Sequence, residues 1–175
     1  MRAGLALIVA LTACVTPVVA QGKVKRGGEP PAVAALHVCE KFAGGDVLAV
    51  EAATALGWDA YVQNAESPYV QSFGGSREFP NLGRADLFSL YETYPETTFG
   101  YCRVDMIDVS GDGLAAFQSI LDLGSYVGDT TIQDDNHYAS LTGKDDPSRQ
   151  LLAHWAGGSF VMQLSINHPK AEGVK

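Results

Sequence analysis

The sequence predicts an α+β fold: an antiparallel sheet of about five strands, with two N-terminal helices and one inserted helix packed against it. Three observations carry that expectation. Residues 159–167 alternate strictly, with Phe160, Met162, Leu164 and Ile166 on one side and Val161, Gln163, Ser165 and Asn167 on the other, the period of a half-buried strand. Turn residues at Pro95 and at Gly157-Gly158 join neighbouring strands by short connections, which makes the pairing antiparallel. Apolar residues at helical spacing, punctuated by glycine, place helices before and between the strands, an order that gathers helices on one sheet face.

The first twenty residues form a segment of their own. A single cation, Arg2, leads into an apolar run from Leu5 to Val15; Pro17 and the compact Val18-Val19-Ala20 follow. Charge, apolar core and small-residue exit is the layout of a secretory signal peptide, here residues 1–20. The run is too short to span a bilayer, which takes about 20 residues. Leu11-Thr12-Ala13-Cys14 also resembles a bacterial lipoprotein box, in which Cys14 would be lipidated and begin the mature chain. Cys14 comes early for such a site, and the layout favours cleavage after Ala20. The expected location is outside the cytoplasm, periplasmic or secreted, with membrane attachment only through a lipid on Cys14, in that case at the outer membrane.

Residues 21–31, with Gly22, Gly27, Gly28, Pro30 and Pro31, read as a flexible linker, 32–170 as one globular domain and 171–175 as a tail. Removing residues 1–20 takes away one cation of 12 and none of the 20 anions, so the net charge moves from −8 to −9. That balance argues against a nucleic-acid partner, which normally meets a basic face. The basic cluster Lys23-Val24-Lys25-Arg26 lies in the linker and reads as solvated chain.

Within the domain, Ala35, Leu36, Cys39, Phe42 and Ala43 share one stripe of a first helix that stops at Gly44-Gly45. Asp46 is placed to cap a second helix through Leu56, with Leu48, Ala52, Ala55 and Leu56 as its apolar stripe and Gly57 at its end. Residues 58–80 carry one short strand near 69–73 before Gly74-Gly75. Strands at 85–93 and 98–107 form a hairpin, although the first could be helical. Asp112 caps a third helix in which Leu114, Phe117, Ile120 and Leu121 recur at helical spacing. Strands near 137–142, 149–156 and 159–167 complete the order. The stretch ββ-α-βββ resembles profilin-like and roadblock-like domains in element order, which says nothing of function. No internal repeat is visible.

Cys39 faces inward on the first helix, and Cys102 alternates with Val104 and Met106 on a strand face. With Cys14 removed or lipidated, an even pair remains in an oxidising compartment, which predicts a Cys39–Cys102 disulfide rather than a reactive thiol.

Few residues point to chemistry. Asp108-Val109-Ser110-Gly111-Asp112-Gly113 opens like a calcium loop, but its twelfth position is Ser119 where a bidentate Glu belongs. The histidines His37, His137, His154 and His168 stand at no ligand spacing. No serine elbow, Walker loop or dinucleotide fingerprint occurs, so no cofactor is implied and no catalytic residue is selected; a metal site is left open. Tyr101, Arg103 and Asp105, opposite Cys102, form a mixed aromatic and charged outer face of the type used for recognition. Two functions are therefore expected of such a chain. The first is a non-enzymatic envelope module that binds a partner protein or small ligand through this open sheet face. The second is a small secreted hydrolase using His137, His154 and acidic residues of the 134–154 region, with or without a metal.

Overall fold

A computed structural model describes residues 28–80, 82–109 and 113–170. The expected signal peptide, Cys14, most of the expected linker, the Asp112 expected to cap the third helix and the expected tail lie outside the described residues. Helix α1 (Pro31–Ala43) starts on a proline whose missing N–H costs nothing in the first turn. Helix α2 (Ala49–Ala55) is shorter than its apolar pattern suggests. Asp46 does not cap it; its carboxylate accepts the Leu48 N–H at 2.9 Å in a turn just before the helix. The α2 stripe is also rotated. Ala49 and Ala53 are buried, while Leu48 is 60% exposed, because the small alanines let the helix approach α1 and the adjacent strand closely.

The strands are β1 (Asp59–Gln63), β2 (Val70–Phe79), β3 (Gly83–Thr93) and β4 (Thr97–Met106), then helix α3 (Gly113–Leu121). Strands β5 (Tyr126–Gln133), β6 (Asn136–Gly143), β7 (Arg149–Ala156) and β8 (Ser159–Pro169) follow. All eight lie in one sheet of order β1-β2-β3-β4-β8-β7-β6-β5, every neighbouring pair antiparallel. The α+β class and the three helices are as expected; the sheet has eight strands and not about five. The additions are the two edge strands, β1 and β5, and the length of β2, which runs through Gly74-Gly75 instead of ending there. A Cβ at Gly74 would sit 2.8 Å from the Tyr61 ring on β1, so the glycine keeps strand geometry while making room for its neighbour.

The additional strands also remove the likeness to ββ-α-βββ domains. The first half is two helices and the second half one helix, each followed by a four-stranded meander, and the last strands of the two meanders, β4 and β8, pair antiparallel at the centre. This is the arrangement that a two-fold axis normal to the sheet would produce. It exists at the level of elements, without a repeat in the residues.

One sheet face carries the helices. Cys102, Val104 and Met106 of β4 and Phe160, Met162, Leu164 and Ile166 of β8 are buried there against Leu36, Cys39 and Phe42 of α1 and Phe117 and Ile120 of α3. Fully burying one such aliphatic or aromatic side chain contributes about 1.5–3 kcal/mol. The Cys39–Cys102 disulfide joins α1 to β4, with the two Cα atoms 5.3 Å apart. Closing a loop of 63 residues stabilises the fold by about 4 kcal/mol on the chain-entropy account. Among the described residues no helix lies over the other face of the sheet.

Candidate functional site

Alternation places Tyr101, Arg103 and Asp105 on the face away from the helices, since Cys102 and Val104 between them are fully buried. All three are half-buried. Arg103 Nε and Nη2 donate to Asp105 Oδ2 and Oδ1 at 2.7 and 2.6 Å, a two-pronged pair along one strand. The Asp105 hydrogen bond holds the Arg103 guanidinium pKa above its ordinary value. Tyr101 packs its ring 6.5 Å from that of Phe88 on β3.

Across β8, Arg103 stands opposite Gln163, and from there the open face bends into a concavity. A cavity of about 430 Å³ is lined by Arg103 of β4, Val161 and Gln163 of β8, Leu152 and His154 of β7, Tyr138 and Ser140 of β6, and Asp129 and Thr131 of β5. Four strand spacings separate β4 from β5, about 19 Å in a flat sheet. The cavity spans that width of the open face. Its volume falls in the range of small-molecule sites, about 300–1,000 Å³. Arg103 thus belongs to this cavity, with Asp105 acting on it as ion partner and Tyr101 flanking it.

The walls are largely apolar, supplied by Leu152, Val161 and the Tyr138–His154 pair, whose rings stack at 4.5 Å and 11°. The Nε2 of His154 is buried and has no hydrogen-bond partner among the described residues. Two carboxylates face this region. Asp105 is committed to Arg103, whereas Asp129 has no hydrogen bond or ion pair among the described residues. The hydroxyl-bearing Ser140 is its cross-strand neighbour.

His137 does not join His154. It pairs with Trp155 in the β6–β7 ladder, one residue out of phase with the Tyr138–His154 pair, and packs on Phe117 beneath α3. The two histidines therefore occupy opposite faces of the sheet. His37 is bound to Glu29 at 2.8 Å, far from either in the chain. Among the described residues no three His, Cys, Asp or Glu side chains gather as metal ligands. Of the calcium-like loop, residues 110–112 lie outside the described residues, and its sixth to twelfth positions form α3, which begins at Gly113. Coordinating positions beyond the sixth are consequently wound into helix.

A second polar cluster, unnoticed in the sequence, closes the β6–β7 connection. Asp146 Oδ1 accepts the Ser148 hydroxyl at 2.6 Å and the Ser148 N–H at 3.1 Å; His168 Nδ1 lies 3.2 Å from the same hydroxyl. Serine, histidine and aspartate meet here, but not as a triad. A triad aims the serine proton at histidine and the carboxylate at the far ring nitrogen. Here the hydroxyl lies against the carboxylate itself, the stronger acceptor, in the geometry of an Asx turn. Behind it, Arg149 bonds Asp146 and Glu40 at 3.2 and 3.3 Å, and the Tyr126 hydroxyl donates to Glu40 at 2.8 Å. Burial first, then Glu40, pushes the Tyr126 phenol pKa upward. This cluster ties α1 to β5 and β7 and so holds the strands behind the cavity in place.

No protein family, no curated protein and no solved structure matches the chain. The site is therefore interpreted from its own chemistry. Of the cavity lining, Arg103 on β4 and His154 on β7 were legible as candidates, in two different readings; Asp129, Tyr138, Leu152 and Gln163 are joined to them only by the fold.

Proposed function

We propose that the chain is an exported bacterial envelope protein acting as a non-enzymatic binding module, with the concavity between β4 and β5 as its ligand site. The observation that carries this reading is the cavity on the open face, about 430 Å³ with apolar walls and a few polar groups drawn from five neighbouring strands. His137 and His154 on opposite faces give no support to a joint role in hydrolysis. Export rests on the layout of residues 1–20 and on the disulfide, which belongs to an oxidising compartment.

Both halves of the reading are testable. Intact mass of protein taken from its host's envelope should give a chain beginning at Gln21 that gains two hydrogens on reduction. A chain beginning at acylated Cys14 would make it a lipoprotein, and one retaining Met1 in the cytoplasm would overturn export. For the site, amide-resonance titration with a library of small soluble molecules should move residues of β6, β7 and β8 around Leu152. Leu152→Trp, at a half-exposed position of the lining, should fill the cavity and abolish those shifts. Shifts that persist in the variant would place binding elsewhere.

A further inference from the structure

The charges of the cavity select among possible ligands. Arg103 is the cation that lines it, and both prongs of its guanidinium lie on Asp105 at 2.7 and 2.6 Å. An anionic ligand would meet only the remaining Nη donors of a guanidinium whose charge Asp105 already balances. Asp129 lines the opposite wall with no hydrogen bond or ion pair among the described residues. Arg103 and Asp129 are the cation and the carboxylate of the lining; with Arg103 balanced by Asp105 outside it, the Asp129 charge is left uncompensated, and the whole chain adds in the same direction at −8. Between these charged ends lie Leu152, Val161 and the Tyr138 ring, which keeps 41% of its surface exposed beside His154.

We propose that the cavity binds an amphipathic organic cation, its ammonium group against Asp129 and its apolar body between Tyr138, Leu152 and Val161. This inference rests on the ligand-site reading above and narrows it to one chemical class. Three features suit an ammonium. Asp129 supplies an unshared carboxylate, the hydroxyls of Thr131 and Ser140 can accept its remaining N–H bonds, and the aromatic Tyr138 offers a cation–π surface. A neutral ligand of the same shape would fill the walls and leave Asp129 to solvent. A carboxylate would meet repulsion from Asp129.

A matched series separates these possibilities: 2-phenylethylamine, 2-phenylethanol and 3-phenylpropionate, each titrated at pH 7 into the oxidised protein and followed by amide resonances. The amine should bind at least about tenfold more tightly than the alcohol, and the carboxylate more weakly than either. Raising salt from low to high should weaken the amine alone, as for a partly screened ion contact. In Asp129→Asn, an exposed edge-strand change, the amine's advantage over the alcohol should fall to within about twofold. Equal affinities of amine and alcohol, or a preference for the carboxylate, with shifts still centred on the cavity would overturn the cationic class and leave the ligand site standing. Failure of all three to shift cavity residues up to their solubility would overturn both. The salt series needs only the wild-type chain, so it decides the matter even if the variant fails to fold.

Discussion

The imidazole of His154 stacks on Tyr138 while its Nε2 lies buried without a partner among the described residues, an arrangement that costs about 1–3 kcal/mol for the lost hydration. Phenylalanine would keep the stacked ring and remove the orphan nitrogen. His154→Phe is therefore expected to unfold in urea at the same midpoint as wild type or higher, a gain of up to about 2 kcal/mol. A loss of more than about 1 kcal/mol would mean that the nitrogen is satisfied. Asp146 shows the opposite case, a polar group fully used. Its pKa is lowered, first by the Ser148 hydroxyl, which outweighs the opposing effect of burial, and then by the Ser148 N–H, His168 and Arg149. A depressed carboxylate contributes stability that is fully present above its unfolded pKa, about 3.9, and that is lost as pH falls through the lower folded value. Wild type should consequently lose stability below about pH 4 through this group. Asp146→Asn should be less stable by about 1 kcal/mol at pH 7 and show a shallower decline between pH 4 and 2, measured by urea midpoints across that range.

Among the elements, α1 is the one most tightly specified. Its backbone descends onto β4 at Gly100, where an added Cβ would lie 1.7 Å from the carbonyl oxygen of Ala43. That neighbour is helix backbone and cannot rotate away as a side chain would. Gly100→Ala should therefore destabilise the fold by about 2–3 kcal/mol, or prevent α1 from seating, while Ser89→Ala on the next strand should lose about 1 kcal/mol with its bond to the Tyr101 carbonyl. Thermal and urea unfolding of the oxidised variants would show the difference; a silent Gly100→Ala would mean that α1 sits farther from the sheet. The elements also explain what could be read from the sequence. Strands β4 and β8 were legible because one face of each is buried and the apolar residues alternate without a break. β1 and β5 were not, and they are the two edges of the sheet. In β5 only Tyr126 is buried, and Ile132, the one other large apolar besides Val127, is 67% exposed. An edge strand with both faces wet carries no period-two signal. In β2 the Gly74-Gly75 pair reads as a turn, since glycine marks turns and close approaches equally well, and only the neighbouring Tyr61 reveals which it is. The candidate surface follows the same rule. Tyr101, Arg103 and Asp105 could be placed outward by alternation with Cys102, but the wall holding Asp129 belongs to a strand that alternation cannot detect.

At the scale of the whole molecule, two helix-plus-meander halves could in principle be two independent folding units. The centre of the sheet argues otherwise. β4 and β8 are paired over ten residues, from Thr97↔Pro169 to Met106↔Phe160, as long a ladder as any within either half. Helix α1 rests on both β4 and β8, and α3 touches α1 as well as β7 and β8, so the apolar side chains of both halves form one cluster. Neither half can bury its last strand alone. The disulfide, which lies wholly in the first half, therefore stabilises both. Hydrogen exchange should show the slowest amides at residues 102–104 and 162–164, opening with a common free energy close to that of global unfolding. Replacing Cys39 and Cys102 together by alanine should lower that free energy by about 4 kcal/mol for both groups of amides, not for β4 alone. If β4 were affected while β8 kept its protection, the halves would be separate units that happen to share an edge. The cavity would then span a flexible seam, with Arg103 on one side and the remaining lining residues on the other, and its ligand would have to bind across two bodies. A single opening free energy instead fixes Arg103 relative to Asp129, the rigidity that a preformed site between β4 and β5 requires.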